Sequence, residues 1–164
     1  MITNPAATTI LCYGDSNTNG IPSDDPDYVR LAADVRWTGR LQTMLGDGYS
    51  VIEEGLSGRT IDLEYADRPG LSGLEYLLPC LLTHAPLDIV VIMLGTNDTK
   101  FRFGRSAAQI AASMVGLLDL VELVLGHPRV YLVSPAPLDD RQPGFVEAEE
   151  LDLASVEKLS LIHI

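Results

Sequence analysis

The stretch "DIVVIMLGTND", residues 88–98, decides the fold. From Ile89 to Leu94 it is apolar throughout, without the alternation of a half-exposed strand. Such a strand must be covered on both faces, which is the situation of a parallel sheet flanked by helices. It breaks off in Gly-Thr-Asn-Asp, a turn signal. Three other segments have the same character: "TTILCYG" (8–14), "YSVIEEG" (49–55) and "RVYLVSP" (129–135), beside "DIVVIMLG" (88–95) itself. Helical patterns lie between them. "DVRWTGRLQTMLG" (34–46) sets Val35, Leu41 and Leu45 near one face and stops at a glycine. Residues 105–125 form the longest candidate, capped by Ser106 and ended by Gly-His-Pro. A third, within 72–83, is interrupted by Pro79. Strands alternating with helices imply an α/β sandwich on a parallel sheet, whose ligands bind beyond the carboxyl ends of the strands.

Composition narrows the function. The 164 residues suffice for one domain with a real core, with 46% hydrophobic and 21% charged residues. A net charge of −12 argues against nucleic acid and anionic membrane as partners. Cys12 and Cys80 make no disulfide framework and no metal motif. Cys12 reads as a buried thiol. The N-terminus lacks the basic and apolar regions of a signal peptide, and no uncharged apolar run reaches the ~18 residues of a membrane span. A soluble, cytoplasmic chain is expected.

Three strand ends carry chemistry: "GDS" (14–16), "EGLSGR" (54–59) and "GTND" (95–98). Acyl transfer needs a hydroxyl nucleophile, which Ser16 offers, and preorganised donors for the developing oxyanion. The Gly55 N–H, the Asn97 amide and the Ser16 N–H are candidates. Each element alone reads as an ordinary turn or cap; together they fall on one rim in one order. Gly-x-Gly-x-x-Gly, Gly-Lys-Ser/Thr and Gly-x-Ser-x-Gly are all absent from residues 14–20.

"GDSN", the glycine at 55 and "GTND" resemble the first three blocks of the SGNH (GDSL-type) hydrolases. "ILCYGDS", "DVRWTGRL", "VIEEGLSGRT", "YLLPCLLTHAPLDIVVIMLGTNDTK" and "VYLVSPAPL" are similar to its arylesterase and acyltransferase-type branch, over roughly residues 8–138. The resemblance implies a flavodoxin-like three-layer α/β/α sandwich, no metal and no cofactor. It also implies hydrolysis of small acyl or aryl esters through an acyl-serine, with acyl transfer as a side activity. Ser16 is then the nucleophile, and Gly55 and Asn97 complete the oxyanion hole. Branch relatives often assemble, so a homo-oligomer is expected.

The family's fourth block, Asp-x-x-His, which supplies the general base, has no counterpart here. The domain is therefore read as residues 1–158, lacking its last strand and helix, with an amphipathic helix over 144–159 that carries Phe145, Leu151 and Val156. The chain closes on "LSLIHI". His163 is the one candidate base in that tail, but Ser160, not an Asp, stands three residues before it. One codon choice for 159–164 spells the transposon end used to fragment DNA, so these residues read as a non-native tail. The alternative to a working esterase is a fragment or binding domain that keeps the pocket without a base. His84 is expected to cap or pack, and His127 to lie at the wrong end of the sheet. Trp37 is expected in the core, Asn17 and Asn19 to make the acyl channel polar, "SPAPL" (134–138) to border the site, and Asp98 to hold the Asn97 loop.

Overall fold

The computed structural model describes residues 3–22, 27, 29–136, 151–152 and 154–155. Among the described residues four strands form one sheet: β1 (Thr8–Gly14), β2 (Tyr49–Gly55), β3 (Ile89–Met93) and β4 (Arg129–Leu132). Their order is β2-β1-β3-β4, and every pairing is parallel. Helices α1 (Ser16–Asn19), α2 (Trp37–Leu45), α3 (Gly73–His84) and α4 (Ala107–Leu125) make the connections. β2 lies on one side of β1 and β3 on the other. The chain therefore reverses its direction of travel at the end of β1, the place where open α/β sheets hold their ligands.

The sheet has helices on both faces. Leu11 and Tyr13 of β1 and Val90 and Ile92 of β3 pack with Leu77 and Leu81 of α3 and Ile110, Leu117 and Val121 of α4. The alternate residues face the other way. Glu53, on that second face, receives Arg36 at the start of α2 through two bonds of 2.8 and 3.0 Å. α2 packs against β2, and Arg30 also reaches Glu53, at 3.1 Å. α4 is long and apolar enough to cross a membrane by length and composition, but Asp119 and Glu122 break its apolar surface and its buried residues serve the core.

Several boundaries differ from the sequence reading. α3 runs straight through Pro79. Pro79 and Glu75 are both exposed, so the carbonyl that loses its helical partner faces water, and packing of Leu77, Cys80 and Leu81 outweighs the lost bond. α2 begins at Trp37, not at residue 34, because Arg36 is extended and held by Glu53. Val35 thus sits in the preceding turn, 46% exposed and apart from Leu41 and Leu45. Ser106 caps α4 in a full capping box with Gln109, as expected. β3 and β4 stop short of residues 95 and 135.

The tail 159–164, with His163, and most of 144–159 lie outside the described residues. Of the expected helix, Leu151 is buried and bridges Lys100 in antiparallel fashion, and the Asp152 N–H donates to Thr99 O at 2.9 Å.

Candidate active site

Ser16 opens α1 directly after β1 and is half-buried. Asp15 caps it, accepting the Asn17 N–H at 2.9 Å and the Asn17 Nδ2 at 3.0 Å. Asp15 is buried, and loss of solvent lifts its carboxyl to about 6 despite the Asn17 bonds and the nearby Arg59 charge. The Ser16 hydroxyl has no hydrogen bond to another described residue.

Two glycines let this turn form. A Cβ on Gly14 would stand 2.1 Å from Thr18 Oγ1 and 2.8 Å from Met93 O. A Cβ on Gly55 would stand 2.2 Å from Asn19 N and 2.5 Å from Thr18 C, both backbone atoms. The end of β2 thus lies directly against the backbone of α1. The Leu56 N–H donates to Gly14 O at 3.0 Å. In a parallel ladder the residue before that donor turns its N–H away from the neighbouring strand, so the Gly55 N–H is left outside the pairing with β1.

The third strand end supplies Asn97, in a 3₁₀ turn over Asn97–Thr99, only 4% exposed. Its Nδ2 donates to Arg59 O at 3.1 Å, which fixes the amide plane and leaves a second N–H. Asp98, fully buried, accepts the Ile61 N–H through Oδ1 and Oδ2 at 3.0 and 3.1 Å. Desolvation lifts its carboxyl to about 7, with the Ile61 bond acting in the opposite direction. Asp98 therefore straps the Asn97 turn to the loop after β2, as the sequence suggested. Ser16, Gly55 and Asn97 are brought to one rim.

Other expected residues fall elsewhere. His163 and residues 137–138 of "SPAPL" lie outside the described residues. His84, in the last turn of α3, pairs with Glu54 Oε1 through Nε2 at 2.7 Å. His127 is almost wholly exposed beside Glu122 and lines a shallow cavity of ≈ 420 Å³ at the amino ends of the strands, with Thr8, Asp88 and Arg129. His127 is thus at the opposite end of the sheet from Ser16, and His84 is engaged by Glu54. Asn17 is turned to Asp15 and Asn19 to Ser57 Oγ at 3.1 Å, so both amides brace the turn. Trp37 is half-buried, its Nε1 without a partner among the described residues. Cys12 is buried, its thiol pushed up to about 12 chiefly by desolvation.

The fold also gathers a set that no sequence motif announced. Glu54, Cys80 and His84 place one ligand atom each within 4.8 Å of the others. The i, i+4 spacing of Cys80 and His84 on α3 was the available signal. Their donors are already committed: His84 Nε2 and Glu54 Oε1 bind each other, and burial pushes the Cys80 thiol up to about 12, away from the thiolate that metals need.

With this geometry in hand, the comparisons are informative. Residues 12–157 match the GDSL-like lipase/acylhydrolase family. An acetylxylan esterase of Xylanibacter ruminicola is 35% identical over 115 residues, which is 68% of this chain but 22% of that protein. The native aryl esterase structure from M. smegmatis is 44% identical with a TM-score of 0.84, covering 93% of this chain and 76% of that one. A carbohydrate acetylesterase from Sinorhizobium meliloti is 38% identical with a TM-score of 0.81, over 93% and 76%. The chain belongs to the GDSL-like lipase/acylhydrolase family.

Proposed function

We propose that this chain is a serine esterase for small acyl esters. The observation that carries the reading is the convergence of three strand ends. Ser16 opens α1, whose Thr18 and Asn19 backbone lies against Gly55, and the Asn97 amide is fixed from the third strand end. In this reading Ser16 Oγ attacks the ester carbonyl as its proton passes to a base. The Gly55 N–H and the second Asn97 N–H hold the oxyanion. Collapse of the tetrahedral species expels the alcohol and leaves an acyl-serine, which water cleaves to regenerate the hydroxyl. An alcohol replacing that water would give acyl transfer. Acetyl is the favoured acyl group, since relatives are named as an acetylxylan esterase and a carbohydrate acetylesterase. The net charge of −12 suits a neutral ester better than an anionic polymer. His84 is spent on Glu54 and His127 lies at the opposite end of the sheet, which leaves His163, in the tail read as non-native, as the candidate base that the test must decide.

The test is p-nitrophenyl acetate hydrolysis by the chain beside Ser16→Ala and His163→Ala. Loss of turnover in both variants supports nucleophile and base together. Loss only in Ser16→Ala removes His163 from the scheme. Equal rates in all three would end the serine-esterase reading and favour a domain that keeps the pocket without catalysis.

A further inference from the structure

One residue touches all three strand ends, and the scheme above gives it no task. Arg59 is 2% exposed and forms no ion pair among the described residues. Its Nη1 donates to Gly14 O, at the end of β1, at 3.1 Å, and also to Glu54 O, beside Gly55. Its own carbonyl accepts the Asn97 Nδ2 at 3.1 Å. Its N–H closes the turn by donating to Leu56 O at 3.0 Å. The guanidinium carbon lies 4.3 Å from the Tyr13 ring centre and 5.1 Å from that of Tyr76. Those rings are nearly parallel, and Tyr13 is anchored through its hydroxyl to Gly73 O at 2.6 Å. Nε is buried without a hydrogen-bond partner.

We propose that Arg59 is the positioning residue of the oxyanion hole, a role that rests on the esterase reading above. The two carbonyls it binds belong to the residue two before the nucleophile and the residue one before the Gly55 donor. Holding Glu54 O fixes the peptide plane that carries the Gly55 N–H, and holding Gly14 O fixes the peptide immediately before the one that carries the Ser16 N–H. Its carbonyl fixes the third donor. The charge matters as well as the shape. A buried guanidinium that makes no ion pair among the described residues, with the Asp15 carboxyl as its nearby opposite charge, sets a positive field at the rim in a poorly solvating site, where such a field acts strongly. The two tyrosine faces give the cation a shelf without neutralising it. Lysine could supply the charge and donors for both carbonyls, which Arg59 serves from Nη1 alone, but not the planar group that packs on two rings.

The test uses the full chain with Arg59→Met and Arg59→Lys, measuring kcat and KM for p-nitrophenyl acetate per folded protein. Amide resonances of Gly55 and the Asn97 side chain are followed by NMR, with Ser16→Ala as the activity floor. Arg59→Met should lower kcat about 100-fold, the scale of a lost oxyanion donor, with KM changed less than ~3-fold. Both sets of resonances should shift. Arg59→Lys should recover part of kcat. A purely structural residue would lower the folded fraction and leave kcat per folded molecule intact. That result, or unshifted Gly55 and Asn97 signals, overturns the proposal. If wild type is no faster than Ser16→Ala, the esterase reading fails, and the NMR arm still decides whether Arg59 sets the donors. Should Arg59→Met not fold, Arg59→Lys yields the same two readouts.

Discussion

Asp98 makes a prediction about stability that does not depend on catalysis. Its carboxyl is completely buried, and the loss of solvent raises it from 3.8 to about 7. In the unfolded chain it ionises near its ordinary value; in the folded chain it keeps its proton to neutrality. Folding therefore takes up a proton between those values, and stability falls as pH rises through that window. From pH 5 to pH 8 the ratio of protonation factors spans about two decades, or about 3 kcal/mol at 1.36 kcal/mol per unit. Asp15, raised to about 6, adds about 1 kcal/mol in the same direction. Glu53 acts with the opposite sign, since Arg36 holds it below its usual 4.5, but only at more acid pH. The wild type should thus lose about 4 kcal/mol between pH 5 and pH 8. Asp98→Asn keeps an oxygen for the Ile61 N–H but cannot ionise, so it should lose only about 1 kcal/mol over that range. Urea unfolding at pH 5, 6, 7 and 8 measures both slopes. A wild-type stability that is flat or rises with pH, or a slope unchanged in Asp98→Asn, would refute the reasoning.

Two further substitutions test the packing behind the site. In Gly55→Ala the new methyl meets Asn19 N at 2.2 Å where contact needs about 3.4 Å, so α1 must retreat by roughly 1.2 Å. The melting temperature should fall by roughly 3–10 °C and kcat/KM for p-nitrophenyl acetate by about 100-fold; a fully active, equally stable variant would contradict the close approach. Leu117→Ala empties a fully buried position in the cluster joining α4 to the sheet. It should cost about 2–5 kcal/mol in urea unfolding, and a cost under about 1 kcal/mol would mean that this face is not the core.

The sequence was most legible where periodicity and chain chemistry agree. β1 and β2 occupy the residues their patterns indicated, because β-branched runs ending in glycine admit one reading. α3 was harder, since Pro79 argues locally against a helix that three buried neighbours on one face enforce. Tertiary packing overrode propensity there. The rim residues Ser16, Gly55 and Asn97 could be found because each follows a strand and carries its own signature. Arg59 could not. Its significance lies in carbonyls contributed by residues 14 and 54 and an amide from residue 97, which only the parallel register brings together. The Glu54–His84 pair was hidden for the same reason, being separated by 30 residues.

The rim concentrates buried polar groups to a degree the rest of the core does not. Asp15, Arg59, Asn97, Asp98 and Lys100 are all less than 5% exposed, and all follow the carboxyl ends of β1, β2 and β3. Asp98 and Asp15 do not form an ion pair with Arg59; each is spent on a backbone N–H. A fold selected for stability alone would replace such groups with apolar side chains of similar volume, which is often neutral or favourable. What the charged versions provide is a set of strand-end peptides held in orientations the ladder does not require. Asp15 sets the N-terminus of α1, Asp98 sets the turn of Asn97, and Arg59 ties both to β2. The cost falls on the pH range in which the two carboxyls are pushed above their ordinary values. Loss of stability towards neutral pH and an ordered rim at the strand ends are therefore two consequences of the same buried groups. Asp98→Asn should relieve the first while loosening the second, giving a more stable protein at pH 8 with a lower kcat.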